Sequence, residues 1–286
     1  MSATLATRPA AAFQVNPLSH RFAAEVVGLD LRQPLDTAAT DAIYDAFVRY
    51  HVLCFRDQHL DQDQQVAFSL QFGTLERHTL RNRGKVNPLV HVVSNLGADE
   101  KPGGKVKSTG WHSDKSFRPE PSLATILHAV VMPPDGGDTC FADMSAAYDA
   151  LPEDEKRVLD GVRVIHSWEL SREHDRAKPS PEEIAEAPPM CHPLVRIHPD
   201  TGRKSMFVGQ HCSHIDGMPM EEGRARILEL EAHSTQERFT YRHKWRMGDM
   251  LMWDNRCLLH RADPNFDAAL HPRVLHRTCL RGTAPL

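Results

Sequence analysis

The chain lacks any apolar run long enough to cross a bilayer. The longest stretches, Leu89–Val93 and Ala124–Met132 with His128 inside it, fall far short of the roughly 20 apolar residues a membrane helix needs. Cysteine is scarce and unpatterned: the six residues stand at 54, 140, 191, 212, 257 and 279, none in a C-x-x-C pair. That excludes a disulfide framework and a zinc-finger pattern, and it fits a reducing compartment. An excess of one charge is also missing. Thirty-four Lys and Arg face 38 Asp and Glu for a net charge of −4, with the basic residues scattered, so there is no electrostatic footprint for nucleic acid. The N-terminus has an Ala-rich patch, Ala10–Ala12, but no long apolar core like that of a signal peptide. These absences together predict a cytoplasmic protein that engages neither membrane nor nucleic acid.

Internal repeats and low-complexity tracts are lacking beyond that short Ala patch. A chain of 286 residues can bury a large share of its unfolded surface and needs no staple to fold. The expectation is one domain over residues 1–286, in which any metal is functional. Asp36 is placed to cap a helix over Thr37–Tyr50, and Val52–Phe55 reads as a short buried strand. Asp61 with Gln64 three positions on resembles a capping box for a second helix, stopped by Gly73. From Leu89 onward the signal changes to short β-like runs separated by turns: Leu123–Val131, Val162–His166, Leu194–His198, Ser205–Val208, Arg238–Arg242, Met250–Trp253 and Leu275–Leu280. Many short strands point to a sandwich or barrel, mainly β with peripheral helices. Helices are expected over Ser145–Asp160, restarted at Pro152, and over Met220–Thr235. The polar, Pro-containing stretch at 168–190 reads as a mobile loop or lid.

The sequence is rich in histidine, with 18 residues, and imidazole is the commonest metal ligand. Residues two apart on a strand face the same side, so a His-x-Asp pair can place an imidazole and a carboxylate on one ion. Four such pairs occur: His59/Asp61, His112/Asp114, His198/Asp200 and His214/Asp216. Asp61 already serves as a helix cap, His198/Asp200 lies in the Pro199-Asp200-Thr201-Gly202 turn, and His214/Asp216 precedes Gly217 in a further turn. His112/Asp114 differs, because Trp111 and Phe117 flank it where the β-rich region begins. His260, at the end of a second apolar run, is the best distant third ligand, its bland reading being a half-buried strand histidine. Arg273 and Arg277, four apart, share a strand face and suit carboxylate or other anionic groups. Trp245 and Trp253 read as core aromatics more than site residues. Cys140 and Cys257 read as small buried hydrophobes.

Along most of its length the chain resembles the taurine dioxygenase/2,4-D dioxygenase family of Fe(II)- and 2-oxoglutarate-dependent oxygenases. The resemblance runs through Ala24-Glu25-Val26-Val27-Gly28-Leu29-Asp30, Phe55-Arg56-Asp57-Gln58, Phe72-Gly73-Thr74-Leu75, Trp111-His112-Ser113-Asp114 and Gly136-Gly137-Asp138-Thr139. It continues with Gly202-Arg203-Lys204, Gly248-Asp249, Trp253-Asp254-Asn255, His260 and Arg273. Each tag is weak, but their shared order is specific.

The resemblance implies a double-stranded β-helix, or jelly-roll, with helices outside. It implies His112, Asp114 and His260 as iron ligands, and Thr139 and Arg273 as partners of the distal carboxylate of 2-oxoglutarate. Arg277 and His78 match positions that contact substrate, although a slightly longer segment between His260 and Arg273 leaves Arg277 open to the cosubstrate role. The implied activity uses O2 to hydroxylate a small organic anion such as a sulfonate, a sulfate ester or an aryloxyalkanoate, with succinate and CO2 as coproducts. Because Asp114 occupies its place, hydroxylation is favoured over halogenation. A homo-oligomer, dimer or tetramer, is expected on the same ground. The competing reading from another class is a zinc-dependent hydrolase built on the same His/Asp/His set. Thr139 and Arg273 discriminate, since a dicarboxylate cosubstrate uses them and hydrolysis does not.

Overall fold

The computed structural model describes residues 13–77, 86–172 and 180–286. Strands dominate. The major sheet has the order β1-β2-β3-β13-β5-β15-β4, built from β1 (Gln14–Pro17), β2 (Ala24–Val27), β3 (Val52–Phe55), β4 (His91–Ser94), β5 (Ser122–Val131), β13 (Met250–Asp254) and β15 (Val274–Arg281). All its pairings are antiparallel except β2 with β3. Strands from both ends of the described chain thus meet in one sheet.

Opposite it lies β12-β6-β14, formed by β6 (Thr139–Asp143), β12 (Thr240–His243) and β14 (Leu258–Ala262). Further pairings are β11-β7-β8, from Arg163–His166 (β7), Met190–Pro193 (β8) and Cys212–Ile215 (β11), and β10-β9, from Val195–Ile197 (β9) and Lys204–Met206 (β10). The two facing sheets make the jelly-roll.

The period-2 alternation of each strand divides the interior into layers. Leu251 and Trp253 of β13, Leu127 and Ala129 of β5, Leu275 of β15, Phe141 of β6 and Leu258 of β14 form the core between the sheets. The alternate residues Met250, Met252, Ala124, Ile126 and Leu280 face outward from the major sheet. There they pack with Ile43 and Phe47 of α1 (Thr37–Tyr50) and Val66 and Phe68 of α2 (Gln62–Leu70). Beyond the minor sheet, Ala142 and Leu259 pack with α3 (Met144–Asp149) and with Ile227 and Leu230 of α6 (Met220–Ser234). One alternation therefore sends β15 residues 275, 277 and 279 inward and 276, 278 and 280 toward α2.

Local chemistry sets the helix ends. The Asp36 carboxylate accepts from the Ala39 N–H at 2.7 Å, and Asp61 and Gln64 form the reciprocal capping box. Helix α2 ends at Leu70 with Gln71 in the right-handed conformation, so Gly73 (φ 148°) shapes the following turn and does not cap the helix. Over Ser145–Asp160 the helical stretch restarts at Pro152 as expected, giving α3 and α4 (Glu153–Leu159). In the 168–190 stretch a 3-10 turn at Leu170–Arg172 and α5 (Pro181–Glu186) are formed. Residues 173–179, and the predicted substrate contact His78, lie outside the described residues.

Candidate metal and cosubstrate site

His112, Asp114 and His260 converge between the sheets. The N–H of His112 donates to the His260 carbonyl at 3.0 Å and the N–H of His260 returns a bond to the His112 carbonyl at 2.8 Å. This isolated antiparallel bridge locks the loop carrying His112 to β14. His260 faces inward with its cross-strand partner Phe141. The two imidazoles lie with ring centroids 4.2 Å apart. Asp114 oxygens stand 4.0 Å from His112 Nε2 and 3.7 Å from His260 Nε2. All three residues are nearly fully buried, yet they line the cavity.

The protonation pattern suits a cation. His112 Nδ1–H donates to the Gly110 carbonyl at 2.8 Å, which leaves Nε2 with its lone pair directed inward. Burial pushes both imidazoles down, only partly offset by Asp114, so they are neutral at pH 7. Burial alone would raise the Asp114 carboxyl, but Arg277 foremost, with the histidines and Thr125, holds it well below the usual carboxylate range. Two neutral imidazoles and one carboxylate form the donor set of a non-haem iron facial site with open positions.

Two other groupings bring potential ligands together among the described residues, His51/Asp254/Cys257 and Cys54/His243/Asp249. Neither lines the cavity, and arginine and histidine side chains already engage their carboxylates. Arg256 and His198 pair with Asp254 at 2.7 and 2.9 Å, and Arg56 and His243 with Asp249 at 2.5 and 3.1 Å. The His198/Asp200 pair does sit in its predicted turn. His214 belongs instead to β11, with only Asp216 in the turn that follows.

Arg273 and Arg277 open onto the same cavity. Arg273 is fixed by its N–H to Asn95 Oδ1 at 2.8 Å and its Nε–H to the Gly137 carbonyl at 2.9 Å. Burial pulls it down to about 10, so it stays cationic at pH 7. Thr139 accepts from Trp245 Nε1–H at 2.9 Å. Indole N–H only donates, so the Thr139 hydroxyl proton is left free to bond a ligand, and Trp245 is more than the core filler the sequence suggested. Arg277 pairs with Asp114 at 3.0 Å.

The sequence reading did not select His211, which lies beside the cluster with its ring 5.7 Å from that of His112. Its Nδ1 contacts Ser116 Oγ at 3.1 Å, and burial pushes it down to about 3. The only available signal was its place three residues before His214. Trp253 belongs to the core as expected and also borders the cavity, its ring 4.7 Å from that of His260. Cys140 and Cys257 are the inert buried thiols expected, each pushed up by burial.

This geometry can be set beside known proteins. The family model of the taurine catabolism dioxygenase TauD, TfdA family matches residues 14–279. The chain belongs to the TauD/TfdA family. It is 42% identical over 262 residues, 86% of this chain and 90% of the relative, to the alpha-ketoglutarate-dependent 2,4-dichlorophenoxyacetate dioxygenase of Cupriavidus pinatubonensis. It is 32% identical over 299 residues, spanning the whole chain and 95% of the relative, to an alpha-ketoglutarate-dependent sulfate ester dioxygenase of Pseudomonas putida. Among solved structures, AAD-2 in complex with Mn(II) and N-oxalylglycine superposes with a TM-score of 0.84 at 37% identity, covering 95% of this chain and 99% of that one. The TauD/TfdA relatives support the oxygenase reading. The zinc-hydrolase alternative gains no support from them.

Proposed function

We propose that the protein is an Fe(II)- and 2-oxoglutarate-dependent dioxygenase that hydroxylates a small organic anion, an aryloxyalkanoate being favoured over a sulfonate or sulfate ester. The observation that carries it is the buried His112/Asp114/His260 cluster opening onto one cavity with Thr139, Arg273 and Arg277. Bound iron, with 2-oxoglutarate and O2, supplies the oxidising power that places a hydroxyl on a substrate C–H bond and leaves succinate and CO2.

The protein binds and orients. His112, Asp114 and His260 hold the metal. The Arg273 guanidinium and the Thr139 hydroxyl, its proton freed by Trp245, take the far carboxylate of the cosubstrate. N-oxalylglycine, seen with Mn(II) in AAD-2, is 2-oxoglutarate with a methylene replaced by NH. Arg277, beside Asp114 on the same cavity, suits the substrate's anionic end, as His78 does by resemblance. Phe117, Trp168 and His211 form an aromatic wall, with Phe117 5.1 Å from His211 and 6.4 Å from Trp168. A ring packs well there, and the matching relatives include a 2,4-dichlorophenoxyacetate and an (S)-phenoxypropionate dioxygenase. The cavity, about 1340 Å³, has room for cosubstrate and substrate together.

Trp168 and Arg172 at one end of the 168–190 segment, and Glu186 and Ala187 near the other, line the cavity. That supports a role in covering the bound substrate. Six free thiols and the absence of any described helix long and apolar enough to cross a membrane support a cytoplasmic setting. A dimer or tetramer is proposed on the family resemblance.

The test is succinate release from 2-oxoglutarate by the iron-loaded protein over a panel of aryloxyalkanoates, sulfonates and sulfate esters, with His112→Ala as control. Iron- and His112-dependent succinate stimulated most by an aryloxyalkanoate is the expected outcome. Stimulation by sulfonates alone would overturn the substrate assignment, and no iron-dependent turnover of 2-oxoglutarate would overturn the reaction class.

A further inference from the structure

Asp114 is tied into a closed ring of hydrogen bonds. Its backbone N–H donates to Asn255 Oδ1 at 3.2 Å, Asn255 Nδ2–H donates to Thr125 Oγ1 at 3.0 Å, and the Thr125 hydroxyl donates to Asp114 Oδ2 at 2.6 Å. The direction is forced. A carboxylate only accepts and an amide NH2 only donates, so the single hydroxyl proton of Thr125 must point to Asp114. Asn255 is itself held on every side. Its Oδ1 also accepts from Trp253 Nε1–H at 3.2 Å, its carbonyl accepts from Ser113 Oγ at 2.8 Å and from the buried Arg196, and its N–H donates to the Leu123 carbonyl at 2.9 Å. Asn255 and Thr125 are completely buried. A buried network bonded at this many points is held to one geometry.

We propose that Thr125 and Asn255 are positioning residues of the metal site, fixing the plane of the Asp114 carboxylate so that it meets the two imidazoles already set for a metal ion. The proposal rests on the reading of His112, Asp114 and His260 as the metal ligands. Arg277 bonds the other oxygen, Oδ1, but it lies on the cavity side and serves the ligand as well. The Asn255–Thr125 arm depends on nothing bound. Thr125 sits on the interior strand β5, paired with Trp253 of β13 and Cys279 of β15, so the arm is anchored in a strand held on both sides. Its one other neighbour is Cys279 Sγ at 3.8 Å, a weak acceptor that does not compete.

The experiment is Co(II) titration of the metal-free protein, followed by calorimetry and by the visible absorption of the bound ion, for wild type, Thr125→Val and Thr125→Ser. Valine keeps the shape and strand preference of threonine without the hydroxyl, while serine keeps the hydroxyl without the methyl. Thr125→Val is expected to bind Co(II) about 10- to 100-fold more weakly with an altered spectrum, and Thr125→Ser to match wild type. Equal affinity and spectrum in Thr125→Val would overturn the positioning role. Equal weakening in both variants would overturn it too, since it would make packing the cause. Failure of the wild type to bind Co(II) would overturn the metal-site reading itself.

Discussion

Arg277 holds two possible partners at once. In the protein alone it bonds Asp114 at 3.0 Å and its Nε has no partner among the described residues, while its side chain lines the cavity. A buried guanidinium with an unused donor is prepared for a second anion. Removing a charged hydrogen-bond donor costs about 1.5–3 kcal/mol. Arg277→Ala is therefore expected to weaken binding of an aryloxyacetate about 10- to 100-fold, while affinity for its neutral methyl ester changes little. Equal losses for acid and ester in a binding titration would mean that Arg277 supports the pocket and does not read the charge. Trp245 teaches the same lesson at this scale. Its aromatic identity could be read as core, but its donation to Thr139 depends on β6 and the β12–β13 connection meeting in space.

Elements were legible where a local signal and burial agreed. The capped helices α1 and α2, the buried strand β3 and most of β5, β7, β13 and β15 follow from apolar runs bounded by caps and turns. Four strands were missed. β6 (Thr139–Asp143) and β14 (Leu258–Ala262) each mix polar ligand-facing residues with apolar ones, so the site they carry blurs their alternation. β8 and β11 are short, four residues each; β8 adjoins the polar 168–190 stretch, and the His214/Asp216 pair makes β11 read as a turn. Spacing and context narrow the triad to one His-x-Asp pair and offer His260 as the best distant third ligand, while its assignment to iron rests on the family resemblance. His211 escaped because nothing local distinguishes it. The bond between Ser167 N and His211 O, beside the β7–β11 pairing, brings it to the cavity.

Across the whole molecule, burial keeps many histidines neutral. His166, packed 4.5 Å from the ring of Phe207 and 5.3 Å from that of His192, is pushed well below its ordinary value by burial. His211 is pushed down to about 3 by the same cause. In the unfolded chain these imidazoles protonate near pH 6.5. Below that pH the unfolded state takes up protons the native state refuses, so stability is full above about 6.5 and falls as the pH drops, by up to ~1.4 kcal/mol per pH unit for each such histidine. The urea midpoint of the metal-free protein is expected to hold level from pH 7.5 to about 6.5 and to fall from there to pH 5.5, with little change in slope. A flat midpoint would mean these imidazoles are not held neutral. That one cavity holds metal and cosubstrate on five side chains is tested most directly by a crystal structure grown with Mn(II) and N-oxalylglycine. The account predicts the ion on His112, Asp114 and His260, and the far carboxylate of the ligand on Arg273 and Thr139. An ion on any other residues, or a carboxylate bound away from Arg273 and Thr139, would contradict it.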